Sequence, residues 1–526
     1  MALIDLPETV PNERLEDPFV PSAKLRRRVG IALPPLICIG LCAHELITAH
    51  AFGGVYDYDD GVYFGAAVRL AHGAMPYRDF VFVHPPGIAL LLAPLALLGR
   101  VIGTSDALGV ARLLTAVVSV GNVMLVGALF RKRSALGAFI ASLVLAVIPF
   151  AVAADNTVLL EPYFVAFVLL AMLVVFTGDL ERESQAAFVA GVLFGIAVSI
   201  KLWAAIPLLG TALVLSRRQL LRLAAGAVAG TLVVSGPFVA TAPREFWRDV
   251  VVAQLDRPAS GNGAIGINRR LAELANLYGL PHVSVTETVG AAIGIGIGAL
   301  IVIAAVAGRR RMTRFDLAVL LSSALSVAAV LAAREFYPYY TYLPLVFVAV
   351  SFGSLCATVR FRLPASFARF WRWRAAGRGF ALVLIGALVY ESGAFGAQYL
   401  GASRSLQPAA AIDAVIPAGS CVVFDQPTIA LVANRYLSAS PSCPALVDPF
   451  GIWLVQNGAA LPPYSGPYAA EFTNSWSDLF SRADYAVIQS VTFGYIPWSI
   501  PLRNAFLQRF QLVDQIPGAY VYRRSG

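Results

Sequence analysis

The chain has 526 residues, 58% of them hydrophobic and only 13% charged, with a mean hydropathy of +0.71. Soluble domains carry roughly 25% charged residues, so this composition excludes a soluble protein. The net charge of +9 does not point to nucleic acid. The basic residues fall in short loops between apolar runs, where they set membrane topology.

The apolar runs are continuous rather than alternating, so they predict membrane-spanning helices and not a barrel. Residues 1–22 are polar, acidic and Pro-rich, and Lys24 with Arg26–Arg28 precedes the first run. Residues 1–28 therefore read as a cytoplasmic tail. The run from Val29 to Phe52 is too long for a signal-peptide core and reads as a retained anchor. Further basic clusters are Arg131–Arg133, Arg217 and Arg218 with Arg222, Arg309–Arg311 with Arg314, and the stretch from Arg360 to Arg378. Placing all of them on the cytoplasmic side gives spans at 29–52, 107–130, 135–154, 158–176, 186–200, 202–215, 220–242, 289–307, 315–333, 341–357 and 379–399. Parity lets only one of the segments 86–103 and 107–130 cross. The first is shorter, begins at the Pro85-Pro86 pair and contains Pro94, so it reads as a juxtamembrane helix within a first extracytoplasmic loop, 52–106. The expectation is a transmembrane module over 29–400 with about 11 spans, N-terminus in and C-terminus out.

Residues 401–526 change character, with Gly, Pro, Ser, Asn and Asp between short runs. β-like runs at Cys421–Phe424, Ala430–Val432, Ala486–Gln489 and Ala519–Tyr522, with helical stretches at Gln407–Val415 and Trp476–Ser481, predict a small extracytoplasmic α/β domain. Cys38, Cys42 and Cys356 lie in spans and read as packing residues. Cys421 and Cys443 lie 22 positions apart in the polar region and are candidates for a disulfide, or else two buried thiols.

The topology brings polar residues scattered over some 300 positions to the extracytoplasmic face. Asp57, Asp59 and Asp60 follow the first span. A carboxylate there can act as general base on an acceptor hydroxyl, and adjacent carboxylates can hold a divalent cation; a solvated acidic loop would look the same. Glu161, ahead of Pro162, fits either a helix N-terminal carboxylate or a second acid facing the first. Lys201, between two short apolar runs, fits a lipid-phosphate cation or a snorkelling span end. Arg334 pairs naturally with Glu335 or contacts phosphate, and Phe336–Tyr340 suits an interfacial belt or sugar stacking. Arg269 and Arg270 are weaker phosphate candidates. No Cys/His zinc spacing, Walker loop or dinucleotide fingerprint is present.

In chain order the set reads Tyr56-Asp57-Tyr58-Asp59-Asp60-Gly61-Val62-Tyr63, then Arg69, Gly73, Pro76-Tyr77, His84-Pro85-Pro86-Gly87, Leu160-Glu161-Pro162 and Lys201. This resembles the GT-C superfamily of polytopic glycosyltransferases, in particular the protein O-mannosyltransferase-like members and the lipid A aminoarabinose transferases. The resemblance is good over about residues 29–215 and loose beyond. The aminoarabinose transferases have Asp-Pro at the Glu161-Pro162 position and Lys at that of His84. The resemblance implies transfer of a sugar from a polyprenyl-phosphate donor to an extracytoplasmic glycan, lipid or protein acceptor in the cell membrane. It implies Asp59 as catalytic base with Asp60 beside it, Glu161 as the second-loop acid, and Lys201 on the carrier phosphate; Arg334 and Arg269 join it as phosphate candidates from the residue reading above. Tyr63, Arg69, His84 and Tyr337 are the expected substrate contacts. No cofactor is expected unless Asp59, Asp60 and Glu161 hold a divalent cation. The competing readings are a transporter or flippase of a lipid-linked saccharide, a polymerase or ligase using a lipid-diphosphate oligosaccharide, and a non-catalytic assembly protein.

Overall fold

The computed structural model describes residues 23–48, 50, 52–177, 183–257, 265–275, 280, 282, 285–358, 374–401, 408–457, 468–516 and 518–525. The expected tail over 1–22 and residues 360–373 of the last basic stretch lie outside the described residues. Helices occur at all eleven expected span positions: α1 (Ala23–Thr48), α4 (Thr104–Leu129), α5 (Ala135–Val147) with α6 (Pro149–Ala154), α7 (Leu160–Thr177), α8 (Glu183–Val198), α9 (Ala205–Ala212), α10 (Arg217–Thr241), α11 (Glu287–Gly308), α12 (Arg314–Ala332), α13 (Tyr342–Thr358) and α14 (Arg374–Gly401). Among the described residues, seven helical stretches are long and apolar enough to cross a membrane; those at 135–147, 183–198, 202–212 and 382–396 are shorter. The protein is thus a multi-pass, mostly helical membrane protein. Between α1 and α4 lie α2 (Tyr58–Ala71) and α3 (Gly87–Ile102).

Local sequence explains where the helices begin. Ser216 and Gln219 form a capping box at the start of α10, and Thr313 and Asp316 form one at the start of α12. Each side chain satisfies an amide that the first helical turn leaves open. The tightest helix pair is α8 against α10. Gly191 and Gly195 on one, and Gly226 and Gly230 on the other, press directly on facing backbone, so a Cβ at any of them would collide with main chain. In lipid there is no hydrophobic drive between helices, and small residues at four-residue spacing let backbones meet. This packing places the C-terminal end of α8, and therefore Lys201.

The C-terminal region is built on a four-stranded sheet of order β1-β2-β4-β3, with β1 (Val422–Phe424), β2 (Tyr485–Ile488), β3 (Phe510–Ile516) and β4 (Ala519–Arg524). β1 and β2 are parallel, while β4 is antiparallel to both β2 and β3. Helices α15 (Ala409–Val415), α16 (Pro427–Val432), α17 (Pro449–Asn457), α18 (Ala470–Arg482) and α19 (Ile500–Arg509) accompany it. Two expectations change. Ala430–Val432 is the end of α16 and not a strand, because Pro427 supplies a preset first helical residue. Strand β3 is an edge strand whose middle residues are largely exposed, so its sequence lacks the apolar signature of a buried strand.

The sheet domain sits on α2. Thr428 Oγ1 donates to the Asp57 carbonyl at 2.6 Å, and Thr104 Oγ1 donates to the Leu431 carbonyl at 2.7 Å. Gly61 lies so close to Thr428 that a Cβ would overlap its backbone. Cys421 and Cys443 are joined by a disulfide. A cross-link closing a loop of this length stabilises by about 3 kcal/mol, so a Cys421→Ser/Cys443→Ser variant should show a thermal midpoint several degrees lower, with unfolding of the C-terminal region first in limited proteolysis.

Candidate active site

Asp59 lies in the first turn of α2. Asp57 caps that helix from extended backbone, and its side chain accepts from the Asp59 amide at 3.4 Å. Asp59 retains some exposed surface, yet burial raises its carboxyl pKa to about 7, helped by the negative charges of Asp57 and Asp448 and opposed by Lys201 and Arg257. Asp57 is likewise raised, chiefly by burial. The Tyr63 hydroxyl donates to Asp59 at 3.4 Å, and the Tyr63 ring meets His84 edge-on with centroids 5.0 Å apart.

His84 lines a cavity of about 470 Å³ together with Lys201, Trp203, Arg257, Tyr339 and Tyr340; Arg334 and Glu335 stand in the same wall. Asp59 does not itself line this space. It stands behind Tyr63 and acts on the cavity through its charge. The His84 segment is pinned from three sides. Tyr77 donates to the His84 carbonyl at 2.7 Å, Gln254 Nε2 donates to the Val83 carbonyl at 2.6 Å, and the Gly87 amide donates to the Ser199 carbonyl at 2.7 Å. A Cβ on Gly87 would lie 2.5 Å from that Ser199 oxygen, so the Pro-Pro-Gly turn needs glycine to approach the backbone leading into Lys201. Burial, followed by the charges of Lys201 and Arg257, holds the His84 pKa well below its usual value. The ring is therefore neutral at physiological pH.

Lys201 is buried and forms an ion pair with Glu161. Its ammonium also faces the rings of Tyr339 and Tyr340, at 5.1 and 5.2 Å. Glu161 is held at the start of α7, where Asn122 Nδ2 donates to the Pro162 carbonyl at 2.9 Å. A second buried pair joins Arg257 to Glu335, Nε to Oε2 3.3 Å, and Arg257 Nη1 donates to the Tyr340 hydroxyl at 2.6 Å. Tyr337 donates to the other Glu335 oxygen at 2.9 Å and stacks on Tyr339 with centroids 5.3 Å apart. Arg334 does not pair with Glu335; it is exposed in the cavity wall and makes no ion pair among the described residues.

The remaining expected residues stand elsewhere. Asp60 points away from Asp59 into the bundle, fully buried against Arg112 of α4. Arg112 Nε donates to it at 3.0 Å and the Val158 amide at 2.8 Å, while the guanidinium covers the Tyr56 ring at 3.8 Å. Successive residues on a helix point about 100° apart, and that step turns Asp60 into the bundle while Asp59 keeps to the other side. Arg69 lies over the Tyr436 ring at 5.0 Å, joining α2 to the sheet domain. Arg269 pairs with Glu273 at 2.9 Å. Arg270 ties the end of α12, donating to the Val330 carbonyl at 2.9 Å and to that of Ala333. Asp59, Asp60 and Glu161 do not converge as a ligand set, and a guanidinium and an ammonium already occupy two of them. That donor set does not fit a divalent cation. Among the described residues the one close group of potential metal ligands is Cys38, Cys42 and Asp155.

Two residues of the site carry no distinctive sequence signal. Arg257 is a lone arginine in a polar loop. Asp448 caps α17, accepting from the Gly451 amide at 2.8 Å, and also accepts from the Tyr58 hydroxyl at 2.8 Å. It reads in sequence only as an Asp-Pro helix start. Burial raises its carboxyl pKa. Through Tyr58, whose ring lies 5.2 Å from Tyr495, it brings the sheet domain to the far side of Asp59.

The bundle with its short helices after the first span, the carboxylate at their start and the capping sheet domain define a membrane protein of the GT-C fold. The structure of ArnT from Cupriavidus metallidurans, bound to undecaprenyl phosphate, has a TM-score of 0.61 and 15% identity to this chain, with 95% of this chain and 98% of that one covered. The Archaeoglobus fulgidus oligosaccharyltransferase, in complex with Zn and sulfate, has a TM-score of 0.50 and 13% identity, covering 94% and 73%. Residues 82–333 match the family model of glycosyltransferase family 87. No curated protein matches the chain in sequence. The resemblance to GT-C glycosyltransferases is thereby borne out.

Proposed function

We propose that this protein is an inverting glycosyltransferase that moves a sugar from a polyprenyl-phosphate donor to a hydroxyl of an acceptor on the extracytoplasmic face. The observation that carries this reading is Asp59, a carboxylate titrating near neutrality between a cationic, aromatic cavity and the sheet domain. A base must be ionised at working pH yet basic enough to take a hydroxyl proton, and a pKa near 7 meets both demands. The family match and the GT-C fold support the same class.

In this mechanism the donor phosphate lies in the cavity against Lys201 and Arg257, with Arg334 in the cavity wall. The acceptor approaches from the side of Tyr58, Tyr495 and Asp448. Its hydroxyl oxygen attacks the anomeric carbon as its proton passes to Asp59. The bond from that carbon to the phosphate oxygen breaks, and polyprenyl phosphate leaves with the electron pair, its charge met by the preset cations. A single displacement inverts the centre. Neutral His84 offers a hydrogen bond without competing for charge. The basic clusters Arg131–Arg133, Arg217–Arg218 and Arg309–Arg311 gather at the helix ends opposite Lys201, which supports a cytoplasmic N-terminus and a site opening on the other side.

The test is transfer by purified protein in detergent, offered a panel of polyprenyl-phosphate sugars, with released polyprenyl phosphate as readout. Release by the wild type and not by Asp59→Asn supports the reading. No release from any donor, with lipid-linked saccharide crossing liposomes that contain the protein, would replace it by the flippase reading. Arg257→Ala removes a charge-assisted contact worth about 1.5–3 kcal/mol. It should raise KM for the donor by roughly ten- to a hundredfold, with Arg257→Lys intermediate because the planar fork is lost.

A further inference from the structure

Three helices that end at the candidate active site also frame a second cavity at their other ends. Chain direction makes this plain. α7 starts at Glu161's turn and ends at Thr177, α8 starts at Glu183 and leads to Lys201, and α12 starts at Arg314 and leads to Arg334. Their far ends, with the Arg131–Arg133 turn, enclose about 550 Å³. Four cations line it: Arg131, Lys132, Arg133 and Arg314.

The nearby acids are Glu183 and Asp316, and both are engaged. Gln219 Nε2 donates to Glu183 at 2.9 Å, and Arg133 Nη2 donates to Asp316 at 2.6 Å.

A second space adjoins the first. An apolar slot of about 460 Å³ between α1, α4 and α5 is lined by Leu36, Val123, Met124 and Ala138, and it shares Ala128 and Arg131 with the basic cavity. A basic cavity that opens at one arginine onto an apolar slot has the shape of a lipid: charged head, hydrocarbon tail.

We propose that one anionic phospholipid, of the phosphatidylglycerol type, binds here. Its phosphate sits among Arg131, Lys132 and Arg133, and one acyl chain fills the slot. Basic pockets between membrane helices hold lipid headgroups in this way. A cluster of cations at a membrane face also arises simply from topology, so the test must separate a built site from surface charge. This site lies at the opposite end of α7, α8 and α12 from the proposed donor cavity and does not depend on the proposed activity.

The experiment is native mass spectrometry of the full-length protein released from nanodiscs containing phosphatidylglycerol and phosphatidylcholine in equal amounts. The wild type should retain one phosphatidylglycerol in preference to phosphatidylcholine. Arg131→Gln/Lys132→Gln, both exposed positions that leave the Arg133–Asp316 pair intact, should weaken retention by roughly thirtyfold at about one kcal/mol per cation. Arg309→Gln/Arg310→Gln removes the same charge at the same end of the bundle but outside the cavity, and should retain the lipid. Inorganic phosphate at millimolar concentration should not displace it, because it cannot use the slot. Equal loss in both double variants would reduce the feature to surface charge. Equal retention of both lipids, displacement by phosphate, or preferential retention of added undecaprenyl phosphate would each overturn the proposal.

Discussion

Asp59→Asn should lower sugar transfer by about a thousandfold, the scale of a lost general base, while the protein remains folded. The accompanying pH dependence is the stronger check. With a carboxyl pKa near 7, wild-type turnover should fall as pH drops below about 7, because the protonated acid cannot take a proton. The residual activity of the variant should be flat across the same window. Stability should move the other way. Burial raises this carboxyl from its ordinary 3.8 to about 7, so protonation favours the folded state. Its contribution is fully present below about pH 3.8 and is lost as pH rises through 7. Asp59→Asn should therefore raise the thermal midpoint at pH 8 and leave it little changed at the acid end. A variant that loses activity and stability together at pH 8 would recast Asp59 as a structural residue.

The neighbouring aspartate should behave in the opposite manner. Arg112→Ala strands the Asp60 carboxylate in a fully buried setting and should cost about 3–5 kcal/mol, the usual penalty for breaking a buried pair from one side. It also loosens the join between α2, α4 and the backbone at Val158. The measurable result is low yield and a large drop in thermal midpoint. Asp60→Asn/Arg112→Met should recover most of that loss, because asparagine still accepts from the Val158 amide and no charge is left unpaired. Full stability in Arg112→Ala would mean that the pair contributes nothing to the fold. The contrast between positions 59 and 60 matters for reading any acidic pair in such a loop: one helical step separates the proposed base from a carboxylate paired inside the bundle.

Much of the architecture was legible in one dimension. Continuous apolar runs broken by arginine clusters located helices at all eleven expected positions, because a bilayer demands length and hydropathy and little else. The C-terminal sheet was visible in a change of composition, and three of its four strands showed as short apolar runs. Strand β3 did not, because an edge strand with an exposed middle has no buried face to reveal it. The family resemblance rested on Asp59, Glu161, Lys201 and the His-Pro-Pro-Gly turn, and the fold does place His84 and Lys201 in the wall of one cavity, with Tyr63 packed on His84 and bonded to Asp59.

Partnership is what the sequence could not state. Glu335 sits beside Arg334 in the chain yet pairs with Arg257, whose contacts come from some 80 positions away. Asp60 finds Arg112 and Arg69 finds Tyr436 in the same manner, and Asp448 reaches Tyr58 across 390 positions of the chain. Hydropathy and helix periodicity act locally, and they are written residue by residue. Which cation neutralises which buried acid depends on how helices pack and on where the sheet domain rests. The local sequence determined that this chain crosses a membrane many times and carries acids and cations at one face; only the tertiary packing decided that Asp60 and Glu161 each take a cation of their own while Asp59, beside Asp57 and Asp448, takes none among the described residues.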